Sequence, residues 1–184
     1  MKSAVITTKR LRLVPLRPSL VRAQLDAQPR FFKRLGVKRR ADWPPPLYDA
    51  TAMSWVLDRL ERGEDPRWHV RVVVVKAGVF THPRAVGVAG FKGPPDDVGE
   101  VEIGYSIVAS EQRRGYCSEA VDALLAFAFD HPKVTLVSAH TLLDESTAGS
   151  RRVLEKKNFF GPFSTQEDEV VRYERSKDAQ NESL

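Results

Sequence analysis

The chain has 184 residues, of which 42% are hydrophobic and 29% charged, and its formal net charge is +5 at pH 7. This length and composition are typical of one globular domain, expected to span residues 1–184, and they exclude a disordered or fibrous chain. No stretch reaches the ~20 apolar residues of a membrane helix, residues 1–10 lack the apolar core of a signal peptide, and the lone Cys117 excludes an intrachain disulfide. We therefore expect a cytoplasmic protein.

The first third of the chain predicts one strand followed by helices. Alternating polar and apolar residues predict a first strand at 10–16, and two helical segments follow at 19–26 and 31–37. After an extended proline-rich stretch, Asp49 is placed to cap a clearer helix that ends at Gly63.

Residues 33–40 carry the densest group of positive charges, which is a possible surface for nucleic acid or an acidic substrate. No nucleic-acid motif accompanies them, so a solvated helix face is the favoured interpretation and nucleic acid is not expected as a partner.

The middle of the chain predicts strands that pair in sequence order. Residues 70–75 are nearly all valine, which is typical of a central strand covered on both faces. A third strand at 86–91, the turn at 93–96 and a fourth strand at 101–108 predict an antiparallel pair.

A helix with its apolar residues on one face follows, with Ser118 as the expected N-cap and an end near Asp130. The fifth strand is predicted at 134–139, and the helical crossover implies that it pairs parallel with the fourth.

The last part of the chain predicts one helix and a closing pair of strands. Ser146 or Thr147 is the expected cap of the helix, which ends at Asn158. Antiparallel strands are predicted at 159–163 and 170–175, followed by a polar tail at 176–184. The predicted fold class is α/β.

The turn before the helix at Ser118 carries the clearest chemical signal. The first turn of a helix has unpaired backbone N–H groups and a partial positive charge, which together favour an anion. Gly115 allows close approach of a ligand, and Arg113 and Arg114 add positive charge. A phosphate or pyrophosphate is the expected guest, although a plain strand-to-helix connection with solvated arginines is the alternative.

The segment Gln112-Arg113-Arg114-Gly115-Tyr116-Cys117 resembles the acetyl-CoA loop of the GCN5-related N-acetyltransferase (GNAT) superfamily, Gln/Arg-x-x-Gly-x-Gly/Ala. The first and fourth positions match, and Cys117 departs from the sixth. The segments at 102–107 and 152–156 are similar to the branch that includes the ribosomal-protein alanine acetyltransferases. The resemblance covers about residues 8–175.

This resemblance implies a GNAT-type domain with a central mixed, mostly antiparallel sheet, splayed fourth and fifth strands, and helices on both faces. It implies acetyl-CoA as donor, a small-molecule or peptide amine as acceptor, possibly an α-amine, and direct transfer in a ternary complex. A non-catalytic CoA-binding or interaction module is the alternative. A monomer or a homodimer is expected. The implied cofactor-binding residues are Ile107, Val108, Ala109, Gln112, Arg113, Arg114, Gly115, Tyr116, Cys117, Ser118 and Thr147.

The catalytic roles follow from the chemistry of amine acetylation. Either a lysine amine or an α-amine must lose a proton before it attacks the thioester. Glu102 is the candidate base, directly or through water, with Glu100 on the same strand face as second choice, and a solvated or ion-paired strand carboxylate is the alternative. Counting along the resemblance, Ser150 is the candidate hydrogen-bond donor to the leaving thiolate, and Thr147 is expected to contact the pantetheine arm. Simple helix capping is the alternative for both.

Two further chemistries are not expected. Cys117 is predicted not to act as a nucleophile, because bound pyrophosphate would oppose a thiolate at the same helix end. The four histidines are far apart in sequence, so no metal site is predicted. Trp43, Tyr48 and Trp55 are candidates to shape access of the acceptor, with buried packing as the alternative.

Overall fold

The computed structural model describes residues 5–178, which form one eight-stranded sheet and five α-helices. The strands are β1 Ile6–Thr7, β2 Leu11–Pro15, β3 Val70–Val75, β4 Arg84–Phe91, β5 Glu100–Ile107, β6 Leu136–Leu142, β7 Phe160–Ser164 and β8 Val170–Ser176. The helices are α1 Pro18–Asp26, α2 Gln28–Leu35, α3 Ala50–Glu61, α4 Tyr116–Phe129 and α5 Ala148–Lys156.

The sheet order is β1-β2-β3-β4-β5-β6-β8-β7, and every neighbouring pair is antiparallel except β5 and β6. The α/β fold class and the parallel pairing of the predicted fourth and fifth strands, here β5 and β6, are therefore confirmed. Their pairing covers only three positions and ends at Glu102 and Ser138. Beyond that point β5 continues to Ile107 against β4, whereas β6 continues to Leu142 against β8. The two strands thus separate, and we call the opening between them the splay.

The helices cover both faces of the sheet. Alternate side chains of β3 point to opposite faces, so Val72 and Val74 pack in the core beneath α1, α2 and α3, whereas Val73 and Val75 pack in the core beneath α4. Leu154 of α5 belongs to the α4 side. All six residues of β3 are buried, which is why five of them are valine; the sixth is the buried Arg71.

Several boundaries differ from the sequence prediction. The short strand β1 was not predicted, because two residues give no periodicity. The predicted strand at 134–139 begins only at Leu136, since the Val134 amide closes a turn onto the His131 carbonyl, and it runs on to Leu142. The helix cap at Asp49 is confirmed, with its carboxylate accepting a hydrogen bond from the Ala52 amide at 2.9 Å.

The C-terminal end of α5 also follows the prediction. Asn158 has φ of 55°, the left-handed conformation that ends many helices. β8 extends to Ser176, and residues 179–184 of the predicted tail lie outside the described residues. Within residues 5–178, no helix combines the length and the apolar character needed to cross a membrane.

Candidate functional site

The turn between β5 and α4 has an unusual helix start. A short 3-10 turn at Ala109–Glu111 follows β5, and α4 begins at Tyr116 with Gly115 as its N-cap. Gly115 has φ of 76°, and a β-carbon at this position would lie 3.2 Å from Nη2 of Arg10. The prediction that Ser118 caps the helix is wrong, because the left-handed Gly115 starts the helix earlier and puts Ser118 in its first turn.

Within the described part of the chain, no side chain caps the first turn of α4. Its N-terminal N–H groups therefore lack the side-chain acceptor that Ser, Thr, Asp or Asn usually supplies. Arg113, like Gly115, is left-handed, with φ of 59°. Left-handed residues within a turn direct successive amides to one side and form a concave anion site. The geometry of the turn therefore suits a phosphate group.

Two side chains brace this turn from within. Gln112 donates a hydrogen bond from Nε2 to the Ile107 carbonyl at 2.9 Å, so its amide group folds back onto the end of β5. Arg10 donates from Nη1 to the Arg114 carbonyl at 2.9 Å and from Nε to Glu119 at 2.6 Å. Burial raises the pKa of Glu119, but hydrogen bonds from Thr8 and Arg10 outweigh it and leave the pKa below its ordinary value.

A buried carboxylate, which the sequence analysis did not single out, holds the arginines near the turn. Glu111 is only 7% exposed and lies 2.7 Å from Nε of Arg84, 3.5 Å from Nη1 of Arg40 and 3.6 Å from Nε of Arg114. Burial raises the pKa of Glu111, but the hydrogen bond and charge of Arg84, together with the charges of Arg114 and Arg40, leave it lowered. One carboxylate thus neutralises only part of the positive charge beside the turn.

The basic segment 33–40 does not present one continuous charged face. Arg34 bonds the Ser19 carbonyl on α1. Arg40 pairs with Asp42 at 2.6 Å and also bonds Ser110 at 2.6 Å, next to the turn. Part of this segment therefore serves the structure around the β5 end.

Of the implied cofactor-binding residues Ile107, Val108 and Ala109 at the end of β5, one offers its backbone amide to the splay. Val108 donates its N–H to the Val86 carbonyl at 3.0 Å, so its amide is used within the sheet. Successive amides of an antiparallel strand point to opposite edges. The Ile107 N–H therefore points to the edge that β6 has left, whereas Ala109 already belongs to the 3-10 turn.

Tyr105 and Ser150 connect the two sides of the splay on the face that carries α4 and α5. The Tyr105 hydroxyl donates to the Ser150 carbonyl at 3.1 Å, and the Ser150 hydroxyl donates to the Tyr105 oxygen at 3.1 Å. Burial raises the pKa of Tyr105 above its ordinary value, so the phenol keeps its proton at neutral pH. A role for Tyr105 was not predicted, although the residue lies within the motif at 102–107.

Thr147, one of the two predicted caps, occupies the N-cap position of α5, but its side chain makes no capping hydrogen bond there. Asp144 caps the preceding 3-10 turn at Glu145–Thr147, where it accepts the Thr147 amide at 3.0 Å and the Ser146 hydroxyl at 2.6 Å. The Thr147 hydroxyl donates to the Leu142 carbonyl at 2.6 Å, at the end of β6. The Ser150 hydroxyl points to Tyr105 and does not cap either.

Cys117 packs against the core beneath α4, and burial raises the pKa of its thiol to about 12. A neutral thiol is a poor nucleophile. We therefore expect Cys117→Ala to retain acetyl transfer within about twofold, measured as initial rate, since alanine also fills the sixth position of the loop pattern. Loss of activity in the variant, together with acetylated Cys117 in mass spectra of the wild-type protein, would contradict this expectation.

On the opposite face of the sheet, Glu102 meets two cationic or basic side chains. Its Oε1 lies 2.9 Å from Nδ1 of His140 and also contacts Nζ of Lys92. Glu102 is thus the ion-paired strand carboxylate that the sequence left as an alternative, yet its partner His140 is itself a proton acceptor. Sequence reasoning missed His140, which lies 38 residues away in the chain.

Glu100, two residues earlier on the same face of β5, also has two partners. It accepts from the Ser138 hydroxyl at 2.6 Å and from Nη2 of Arg172 at 2.8 Å. Burial raises the pKa of Glu100, but these two hydrogen bonds and the charge of Arg172 leave it lowered. A carboxylate with a lowered pKa is a weaker base. Neither partner of Glu100 is a proton acceptor like His140, so the contacts favour the neighbourhood of Glu102.

The three aromatic candidates for acceptor access differ. Trp43 is buried and stacks on Phe31 at a centroid distance of 5.3 Å, which is a core position. The Tyr48 hydroxyl lies 3.6 Å from where a β-carbon on Gly104 would stand, above the face of β5 that carries Glu102. Trp55 is 46% exposed and lies under the guanidinium of Arg59.

The predicted site residues, together with Tyr105, thus fall into three groups around the splay. The turn at 112–115 and the first turn of α4 lie at the end of β5, Tyr105 and Ser150 lie on the α4 and α5 face, and Glu102 lies on the other face. A helix start suited to an anion, an opened pair of parallel strands and polar groups on both faces are the arrangement of an acetyltransferase.

Comparison with known families agrees with this class. The acetyltransferase (GNAT) domain family matches residues 10–159, and the chain belongs to that family of acyl-CoA-dependent acetyltransferases. Among curated proteins, the chain is similar to the uncharacterized N-acetyltransferase YjdG of Bacillus subtilis (strain 168), with 28% identity over 155 residues, which are 84% of this chain and 89% of YjdG.

Solved structures share the fold at low sequence identity. RimL, a ribosomal L7/L12 alpha-N-protein acetyltransferase solved with coenzyme A, has a TM-score of 0.61 and 19% identity, covering 95% of this chain and 99% of RimL. A putative acetyltransferase from Bordetella pertussis has a TM-score of 0.62 and 20% identity, covering 94% and 99%. The microcin C7 self-immunity acetyltransferase MccE, solved with acetyl-CoA and AMP, has a TM-score of 0.59 and 12% identity, covering 92% and 93%.

Proposed function

We propose that this protein transfers the acetyl group of acetyl-CoA directly to a primary amine within a ternary complex. The observation that carries the proposal is the splay, which opens the sheet between an anion-suited turn and a polar surface on the opposite face. In this account the donor lies on the α4 and α5 side and the acceptor approaches from the side of Glu102. The two reactants then meet through the opening without a covalent intermediate on the protein.

The donor would be held at two points of the turn and the β5 end. The uncapped amides of α4 and the left-handed turn at 113–115 would bind the pyrophosphate, with Arg113 and Arg114 adding charge. The Ile107 N–H points toward the opening, so it is the backbone donor we assign to the thioester carbonyl oxygen, where negative charge develops. Gln112 contributes indirectly, because its side-chain amide donates a hydrogen bond to the Ile107 carbonyl and so holds the end of β5 in position.

The acceptor amine would lose its proton on the face that carries Glu102. At neutral pH both lysine and α-amines are largely protonated, so a nearby group must accept the proton before the nitrogen can attack. We propose a peptide α-amine as the acceptor class, because RimL, which shares the fold, is named for an alpha-N-protein substrate.

The leaving thiolate would be met by Tyr105 and Ser150. Tyr105 keeps its proton at neutral pH and donates it in a hydrogen bond to the Ser150 carbonyl, while its oxygen accepts from the Ser150 hydroxyl. A rotation of the Tyr105 O–H from that carbonyl to the sulfur would let it donate to the thiolate while Ser150 still holds the phenol oxygen. We expect Tyr105→Phe to lower kcat by about 100-fold, the lower end of general acid effects. We expect a smaller loss for Ser150→Ala, because the phenol remains. Both variants should keep the acetyl-CoA affinity of the wild-type protein.

Steady-state rates and the melting shift with acetyl-CoA check this prediction separately. Ser146→Ala is a matched control, since that hydroxyl bonds only the exposed Asp144 turn in the described structure. Unchanged rates with a lowered melting temperature would leave Tyr105 and Ser150 a purely structural role.

The proposed activity is tested with radiolabelled acetyl-CoA and a panel of amines, which includes peptides with free N-termini, lysine side chains, polyamines, aminoglycosides and amino acids. Label on at least one amine is expected, with peptide α-amines preferred. Acetyl-CoA binding without transfer to any of these amines would favour the alternative, a CoA-binding or interaction module.

A further inference from the structure

A carboxylate and an imidazole stand together where the splay begins. The parallel pairing of β5 and β6 ends at Glu102 and Ser138, and His140 is two residues further along β6. Residues i and i+2 of a strand share a face, so His140 lies on the same face as Ser138. Nδ1 of His140 is 2.9 Å from Oε1 of Glu102. The pair therefore bridges the two strands at the mouth of the opening.

This contact fixes which ring nitrogen carries the proton. An ionised carboxylate only accepts hydrogen bonds, so Nδ1 of the neutral ring is the donor and Nε2 has a free lone pair. Among residues 5–178, no partner of Nε2 lies within hydrogen-bond distance, and the side chain is 29% exposed. Nε2 is thus open to a molecule that approaches from solvent on this face.

We infer that His140 accepts the proton of the acceptor ammonium through Nε2, with Glu102 as the positioning residue that holds its Nδ1–H. This inference rests on the proposed acetyl transfer and deepens it. An N–H bond of the ammonium breaks and its proton moves to Nε2, which leaves the nitrogen a lone pair. That pair forms the bond to the acetyl carbon, the carbon–sulfur bond breaks, and its electron pair leaves with the sulfur. The nitrogen then loses its second proton, which passes to the CoA thiolate and leaves a neutral amide and the CoA thiol.

The charges that face His140 suit this task. Glu102 and Glu100 lie on β5, Lys92 follows β4, and β8 brings Arg172 and Glu174 alongside. Of these groups, Glu102 is the one that contacts the ring, through Nδ1. Lys92 pairs with Glu102, and Arg172 pairs with Glu100 and Glu174, so each of the two cations already has a carboxylate partner.

The inference predicts a specific pH profile. Plots of kcat/KM against pH should fall on the acid side, because a protonated imidazole can no longer accept the proton of the ammonium. This acidic limb should keep its position when the acceptor is changed from a peptide α-amine to a lysine side chain. The limb that reports ionisation of the acceptor amine itself should shift by about two pH units.

Three variants test the assignment. His140→Gln should lower kcat/KM at pH 7 by about 100-fold or more and remove the imidazole limb. Glu102→Gln should lower it by about tenfold or more while that limb persists at a shifted position, because the ring remains but is no longer held by a carboxylate. His82→Gln, which alters an exposed histidine of the β3–β4 connection, should leave rate and profile unchanged.

Chemical rescue provides a second test, because free imidazole would not restore activity if His140 had only a structural role. Free imidazole should restore part of the activity of His140→Gly and none of the activity of Glu102→Gln. The inference is overturned if the wild-type protein acetylates amines and His140→Gln does so at the same rate with the same pH profile. Absence of transfer by the wild-type protein, with acetyl-CoA bound, would instead contradict the proposed function itself.

Discussion

Replacing Gly115 with glutamate is expected to abolish acetyl-CoA binding. Gly115 has φ of 76°, a backbone conformation that residues other than glycine rarely adopt, and a β-carbon there would lie 3.2 Å from Nη2 of Arg10. The new carboxylate would also stand at the positive end of α4, where it repels a pyrophosphate and takes its place at the free amides. Conformation, space and charge thus act in the same direction.

Thermal melting with and without acetyl-CoA measures this effect. At ~100 times Kd, binding to the native state alone stabilises by ~2.7 kcal/mol, which corresponds to several degrees for a chain of this size. The wild-type protein should show this shift and Gly115→Glu should show none. Gly63→Glu is the matched control, because Gly63 also has a left-handed φ of 90° but lies in open space after α3. An undiminished shift in a folded Gly115→Glu protein would show that the turn does not bind the donor.

Replacing Glu111 with alanine is expected to give the largest loss of stability among the polar substitutions considered. Removal of one partner of a fully buried ion pair costs about 3–5 kcal/mol. Arg84 is 28% exposed, so solvent screens part of the effect and we expect about 2–3 kcal/mol, or roughly 5–10 °C in Tm. The loss arises because Arg84, Arg40 and Arg114 would then repel one another beside the turn. Chemical denaturation gives the free energy of unfolding directly.

Glu61→Ala is the control for this prediction. Glu61 pairs with Arg22, but the two side chains are 42% and 56% exposed, so this substitution should cost no more than about 1 kcal/mol. Equal losses of unfolding free energy in the two variants would show that the burial of Glu111 does not strengthen its ion pairs.

The lowered pKa of Glu111 also predicts a pH dependence. The folded protein holds this pKa below the ordinary value of 4.5. The ion pairs of Glu111 therefore contribute their full stability at pH values above 4.5, and this contribution is lost as the pH falls through the lowered pKa of the folded state. The difference in unfolding free energy between the wild-type protein and Glu111→Ala should therefore be largest at neutral pH and shrink at acidic pH.

Local sequence patterns were sufficient for most of the fold. The run of valines in β3 and the helical periodicity of α4 both reflect which residues are buried, and each pattern can be seen within the sequence of the element itself. The turn within residues 112–117 could also be predicted, because a glycine between a strand and a helix readily adopts the positive φ that a tight turn requires. Helix starts were harder to predict. Ser118 satisfies the local rule for caps, yet α4 starts at Gly115, whereas Thr147 does occupy the N-cap position of α5 but makes no capping hydrogen bond with its side chain.

Contacts between distant side chains could not be read from the sequence. Glu102 and His140 are 38 residues apart, and Tyr105 and Ser150 are 45 apart. Periodicity tells which face of a strand a residue occupies, but the partner depends on strand register, and the register of β5 with β6 is set by the whole sheet. His140 therefore looked like an isolated histidine, although two strands bring it to the carboxylate chosen as the base.

The most direct test of the account is a single assay that follows both products. The purified protein is mixed with acetyl-CoA and a peptide with a free α-amine, and free CoA thiol and acetylated peptide are measured over time. We predict that both appear in equal amounts, that Gly115→Glu forms neither, and that Cys117→Ala forms both at close to the wild-type rate. Release of CoA without acetylated amine, or equal product formation by Gly115→Glu, would contradict it.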